Sequence, residues 1–162
     1  MKSSSSQSVP VFWKHPLHLL AFGFGCGASP KAPGTVGTAL AVAIYLLLPS
    51  MHWLVYLLFL AITFGLGIWI CEVTSRDLQI QDHPGIVWDE FVGYWITMFL
   101  APSGWIWVVA GFAMFRLLDI VKPWPVGWAD RQVHGGLGIM LDDAIAGIMA
   151  ALTLQAVNFL LP

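Results

Sequence analysis

From Met51 to Cys71 the chain runs for 21 residues without an aspartate, glutamate, lysine or arginine. As a helix that run is about 31 Å long, close to the ~30 Å hydrocarbon core of a bilayer. In such a medium every backbone donor and acceptor must be satisfied within the segment or by a closed barrel, so a run this long reads as a spanning helix. Four more apolar segments accompany it: Thr35 to Leu48, Phe91 to Ala101, Trp105 to Val121 and Ile139 to Leu161. They are helix-length, and none alternates with the period of a strand. A chain that is 58% hydrophobic and only 10% charged lies far from the composition of soluble domains. The expected fold is therefore all-α: a polytopic integral membrane helix bundle of about five membrane helices.

Turn chemistry orders these segments. Pro49-Ser50 and Pro102-Ser103-Gly104 are short enough to join antiparallel helices, whereas residues 72 to 90 and 122 to 138 are longer, charged and rich in Gly and Pro. Two segments are short, at about 21 Å for Thr35 to Leu48 and about 17 Å for Phe91 to Ala101. Earlier starts, at Pro33 and Trp88, are expected. Ahead of the bundle, Leu17 to Phe24 is too short to span and is broken by His18 and Gly23. A short interfacial helix beginning near Pro16 suits it better than a cleaved signal peptide. Residues 1 to 15, with the serine run Ser3 to Ser6, read as a flexible N-terminus, and residues 16 to 162 as a single membrane-embedded domain.

Threading the segments across a bilayer puts every formal charge on one side. The other side receives only Leu48 to Met51, Ala101 to Gly104 and the tail from Asn158. Lysines and arginines of short loops stay cytoplasmic, so the charged face is expected in the cytoplasm and the C-terminus outside. Trp53, Trp105 and Trp107 would mark the far interface, and Trp13, Trp88, Trp124 and Trp128 the near one. With a net charge of -2 and no basic run, the chain has no footprint for nucleic acid and no polybasic anchor; its partner is the lipid bilayer. Oligomeric state is not readable. Cys26 and Cys71 are isolated and form no CxxC pair, so they read as packed thiols.

Chemistry concentrates in acids near the charged ends of the helices. Asp89, Gly93 and Thr97 share a helical face, as do Asp142, Ala146 and Ala150, and Asp143, Gly147 and Ala151. Small residues permit close helix packing, which turns these aspartates toward neighbouring helices rather than lipid. Carboxylates gathered in a low dielectric repel one another, and protonation, arginine pairing or a hard divalent cation relieves them. Asp89, Glu90, Asp119, Asp142 and Asp143 are thus the candidate catalytic and metal-binding residues, with Mg²⁺ the expected ion. Glu72, Asp77 and Asp82 read as structural.

A second constellation, Gly23 to Gly34 with Lys31, feeds a helix start near Pro33. Unpaired N-H groups there, beside a lysine, suit an anionic phosphate, although a loop kept small for packing explains the same residues. Candidate phosphate-binding residues are Lys31, Thr35, Arg116, Lys122, Arg131 and His134; the last also suits proton transfer. Familiar phosphatase signatures fail on spacing. Cys71 and Arg76 are one residue too close for a cysteine phosphatase loop, His83 lies one position too far from Ser75-Arg76 for the phosphatidic acid phosphatase motif, and no Asp-x-Asp is present. A water activated by a carboxylate such as Glu90 remains the expected nucleophile, with an attacking aspartate as the alternative.

Three motifs carry a family resemblance: residues 23 to 38 (GFGCGASPKAPGTVGT), residues 82 to 93 (DHPGIVWDEFVG), and residues 115 to 125 continuing through Asp130-Arg131 to His134-Gly135-Gly136 and Asp142-Asp143. In this order and spacing they resemble the phosphatidylglycerophosphatase A family over about residues 17 to 151. The resemblance implies a bacterial inner-membrane, Mg²⁺-dependent enzyme with its active site at the cytoplasmic face. Its substrate would be the membrane phospholipid phosphatidylglycerophosphate, cleaved to phosphatidylglycerol and inorganic phosphate. Pro84 departs from the expected pattern and stiffens the loop before Asp89. A small transporter would spread its charges through the membrane depth, and a CDP-alcohol phosphatidyltransferase would carry a longer aspartate and glycine signature.

Overall fold

The computed structural model describes residues 15–160, and these form helices and connecting loops. A short α1, Pro16–Ala21, opens with proline in its first turn, where the missing N-H costs nothing. It leads through a 3-10 segment, Gly23–Ala28, into α2, Pro33–Leu47. Then come α3, Trp53–Leu78, α4, Trp88–Thr97, and α5, Trp105–Val121. A short α6, Val126–Gln132, precedes α7, Gly135–Leu160. The starts expected at Pro16, Pro33 and Trp88 are all observed. The expected flexible N-terminus, with Lys2, Trp13 and Lys14, lies outside the described residues but for His15.

Two loops differ from expectation. Residues 72 to 78 continue α3 rather than forming a loop, because a helix end needs no apolar residues once Thr74 and Ser75 are buried by its neighbours. Within 122 to 138, α6 is held by Val126, Gly127 and Ala129, which it buries largely against α7.

α4 is the hub, packing on α2, α3, α5 and α7. Seven of its ten residues are buried, so it has no face left for solvent or lipid. Its crossing with α7 is made by bare backbone: a methyl group on Gly147 would lie 2.4 Å from the Gly93 carbonyl oxygen. Thr97 Oγ1 donates to the carbonyls of both Gly93 (3.0 Å) and Gly147 (3.4 Å) and stitches the pair. The close packing inferred from the small-residue faces is therefore present. Trp95 Nε1 donates to Ala41 O at 3.1 Å and ties α4 to α2. Trp88 does not mark an interface as expected. It is buried, stacks on Phe91 and donates to Thr63 O of α3 at 3.2 Å.

That contact sets the depth of α4. Its first turn sits beside Gly67, whose added Cβ would be 2.8 Å from the Trp88 ring, and Gly67 lies about 16 Å below the end of α3. The outer faces are apolar throughout: Leu58, Ile62 and Trp69 on α3, Ile106, Val109 and Ile120 on α5, and Ile148 and Leu152 on α7 are each at least half exposed. α3 and α7, with 26 residues each, are long and apolar enough to cross a membrane. α2 and α5 reach only about 22 and 25 Å, and α4 about 15 Å.

Candidate active site

The recessed start of α4 leaves a cavity of about 330 Å³ at the charged end of the bundle. Its walls come from four places: the start of α2 (Ala32, Pro33, Gly34), the 79–87 loop with α4 (Asp82, Asp89, Glu90), the end of α5 and its cap (Arg116, Asp119, Ile120, Lys122), and α7 (Asp142, Asp143). All five acids expected from the sequence meet here, joined by Arg116 and Lys122. The glycine-rich segment also packs as a small loop, since a methyl group on Gly27 would fall 1.9 Å from the Gly85 carbonyl.

The acids divide by partner. Asp119 takes a hydrogen bond from Arg116 Nη1, which also lies 3.6 Å from Glu90 Oε1. Asp142 Oδ2 accepts from Lys122 Nζ at 2.7 Å, and Lys122 also donates to Asp130 on α6. Asp89, Glu90 and Asp143 instead present one oxygen apiece within 4.8 Å of one another. In the same three residues Asp89 Oδ1, Glu90 Oε2 and Asp143 Oδ2 are buried and without a hydrogen-bond partner. An orphaned buried oxygen costs free energy of order 1–3 kcal/mol, more when charged, so three together mark a place built for something electropositive. Hard anionic oxygens at this spacing suit a hard divalent cation.

Glu90 is held from the opposite wall as well. A methyl group added to Gly34 would lie 2.1 Å from Glu90 Oε1 and 3.2 Å from Arg116 Nη1. Gly34→Ala is accordingly expected to push the Glu90 carboxylate off the cluster and lower turnover by at least ~10-fold, with little change in detergent-solubilised thermal stability. Unchanged steady-state rates in that variant would show that Glu90's position is not critical.

Of the other expected residues, Lys31, Thr35, Arg131 and His134 do not line the cavity. Lys31 is exposed in the turn that precedes α2, where Ser29 Oγ donates to its carbonyl at 2.9 Å. Thr35 lies just past the lining residues of α2, and Arg131 is exposed near the end of α6. His134 lines a smaller adjoining cavity with Asp82, Asp130 and Asp142. Glu72 and Asp77 have the structural roles expected of them: Glu72 accepts from the Gly136 N-H at the start of α7, and Asp77 pairs with His18 at 3.1 Å. Asp82 is the residue sequence reasoning missed. The loop folds back and brings it to the cavity, where burial raises its carboxyl above the usual range although Lys122 pulls the other way. Burial alone would lower Lys122, but its ion pairs with Asp130 and Asp142 outweigh it and hold the ammonium above the ordinary lysine range.

Fold and site together define an all-helical bundle carrying a recessed, oxygen-rich cavity with two cations among its lining residues. The family model of phosphatidylglycerophosphatase A matches residues 19–158. A phosphatidylglycerophosphatase A of Escherichia coli (strain K12) is 48% identical over 138 residues, covering 85% of this chain and 80% of the relative. One from Haemophilus influenzae is 42% identical over 147 residues, 90% of each chain. No solved structure matches. The chain belongs to the phosphatidylglycerophosphatase A family.

Proposed function

We propose that this chain hydrolyses the terminal phosphate of phosphatidylglycerophosphate, yielding phosphatidylglycerol and inorganic phosphate. The observation that carries the reading is the pairing, in one cavity, of three partnerless carboxylate oxygens with Arg116 and Lys122. A phosphomonoester brings negative oxygens that the two cations bind. Asp89, Glu90 and Asp143 would hold Mg²⁺, which when bound neutralises phosphoryl charge and acidifies water.

The protein's own groups supply the rest. Arg116, whose Nη1 serves Asp119 and Glu90, would offer its remaining N-H groups to the phosphoryl oxygens, and Lys122 would add a point charge. Glu90 accepts a proton from the attacking water as its oxygen bonds to phosphorus in line with the leaving group. The bond from phosphorus to the glycerol oxygen breaks, and the departing alkoxide takes the proton that Glu90 received, so alcohol and inorganic phosphate leave and Glu90 returns to its starting state. Direct attack by an aspartate would instead leave a phosphorylated protein, visible by acid quench of one turnover on radiolabelled substrate.

In the same reading the apolar collar faces lipid, and α2, α3, α4 with residues 98–101, α5 and α7 make five crossings of a bacterial inner membrane. The charged end then faces the cytoplasm. A C-terminal reporter active only in the cytoplasm would overturn that topology. The function is tested by phosphate release from phosphatidylglycerophosphate in detergent micelles. Release that stops with EDTA and returns with Mg²⁺ is expected; release indifferent to EDTA would remove the metal, and no release at all would remove the function.

A further inference from the structure

The mouth of the cavity is chemically two-sided. Of its lining residues that reach the surface, Asp82 and Lys122 are charged, whereas Ala32 at the start of α2 and Ile120 near the end of α5 are apolar. Ile120 both lines the cavity and is 67% exposed. It continues an outward apolar stripe on α5, with Leu117 and Val121 each more than half exposed. Trp124, also exposed, stands three residues past the end of the helix, a placement that suits an interfacial tryptophan. The cavity is at the low end of the roughly 300–1,000 Å³ typical of small-molecule sites. It has room for a phosphorylated headgroup and none for two acyl chains.

We infer that the opening between α2 and α5 is the lateral port through which the substrate enters, and that its acyl chains lie outside the cavity along Ile120, Leu117 and Val121. This rests on the lipid phosphatase reading above. It makes Ile120 a substrate-binding residue for the apolar part of the lipid, distinct from the groups that hold the phosphate. The occupant is an acyl chain rather than a protein because the stripe runs directly into the cavity that takes the headgroup.

The test compares dioleoyl and dihexanoyl phosphatidylglycerophosphate as substrates for wild type, Ile120→Asn and Leu117→Asn, with Leu152→Asn on the outer face of α7 as the control. Wild type is expected to favour the long-chain lipid in kcat/KM. Ile120→Asn should shrink that preference by about tenfold, what burial of roughly two methylene groups is worth, its loss on the long-chain lipid exceeding its loss on the short-chain one by that factor. Leu117→Asn should shrink it less, and Leu152→Asn not at all. An undiminished chain-length preference in both α5 variants overturns the port, as does equal loss on both lipids. Wild type failing on both lipids would instead overturn the phosphatase reading.

Discussion

Asp143→Asn is expected to lower phosphate release by at least ~100-fold while leaving the detergent-solubilised protein as stable as wild type or more so. Asp143 is buried in α7 beside Asp89 and Glu90, and one of its oxygens has no partner in the protein. Asparagine keeps the shape and removes the charge, so the repulsion among three crowded carboxylates falls and folding gains. On the proposed reading, the same change also takes away one of the three carboxylates that would hold the cation. Loss of an outer-shell partner already costs roughly 10–100-fold, and a direct ligand should cost more. Asp89→Asn should behave alike. Near-normal turnover in either at saturating Mg²⁺ would sink the assignment.

Arg116→Met should have the opposite signature, with stability collapsing along with activity. The guanidinium is the cation between Asp119 and Glu90, and all three side chains are only 13% exposed. Taking one partner out of a buried ion pair strands the other charge, which typically costs ~3–5 kcal/mol. Arg116→Lys keeps the charge but loses the Nη1 that sits between Asp119 and Glu90, so an intermediate loss is expected. Thermal unfolding in detergent decides this. An Arg116→Met variant within about 0.5 kcal/mol of wild type would mean that the acids do not depend on it.

Those five acids and two cations were all legible, because each stands in a short segment where a charge next to apolar residues is conspicuous. The helix starts were legible for a related reason, as Pro33 and Trp88 stand at changes of composition. Asp82 was not, since an acid in a polar loop looks like any solvated residue until tertiary packing folds the loop over the cavity. The same blindness works in reverse for Lys31, Thr35, Arg131 and His134: proximity in sequence to a motif says nothing about where a side chain points. α6 was hidden by its length, because seven residues after Pro123-Trp124-Pro125 show no helical period of their own.

Lys122 and Ala32 share a property of another kind. Both border the cavity with left-handed backbone, at φ 47° and 46°, where an ordinary side chain is strained. Design rules for thermostability would place glycine or asparagine at such positions and gain stability from the exchange. At Lys122 the exchange would discard the ammonium that joins α5, α6 and α7 through Asp130 and Asp142. Directed evolution of this enzyme for heat tolerance should therefore find position 122 closed, and position 32, which contributes no charge, open to improvement.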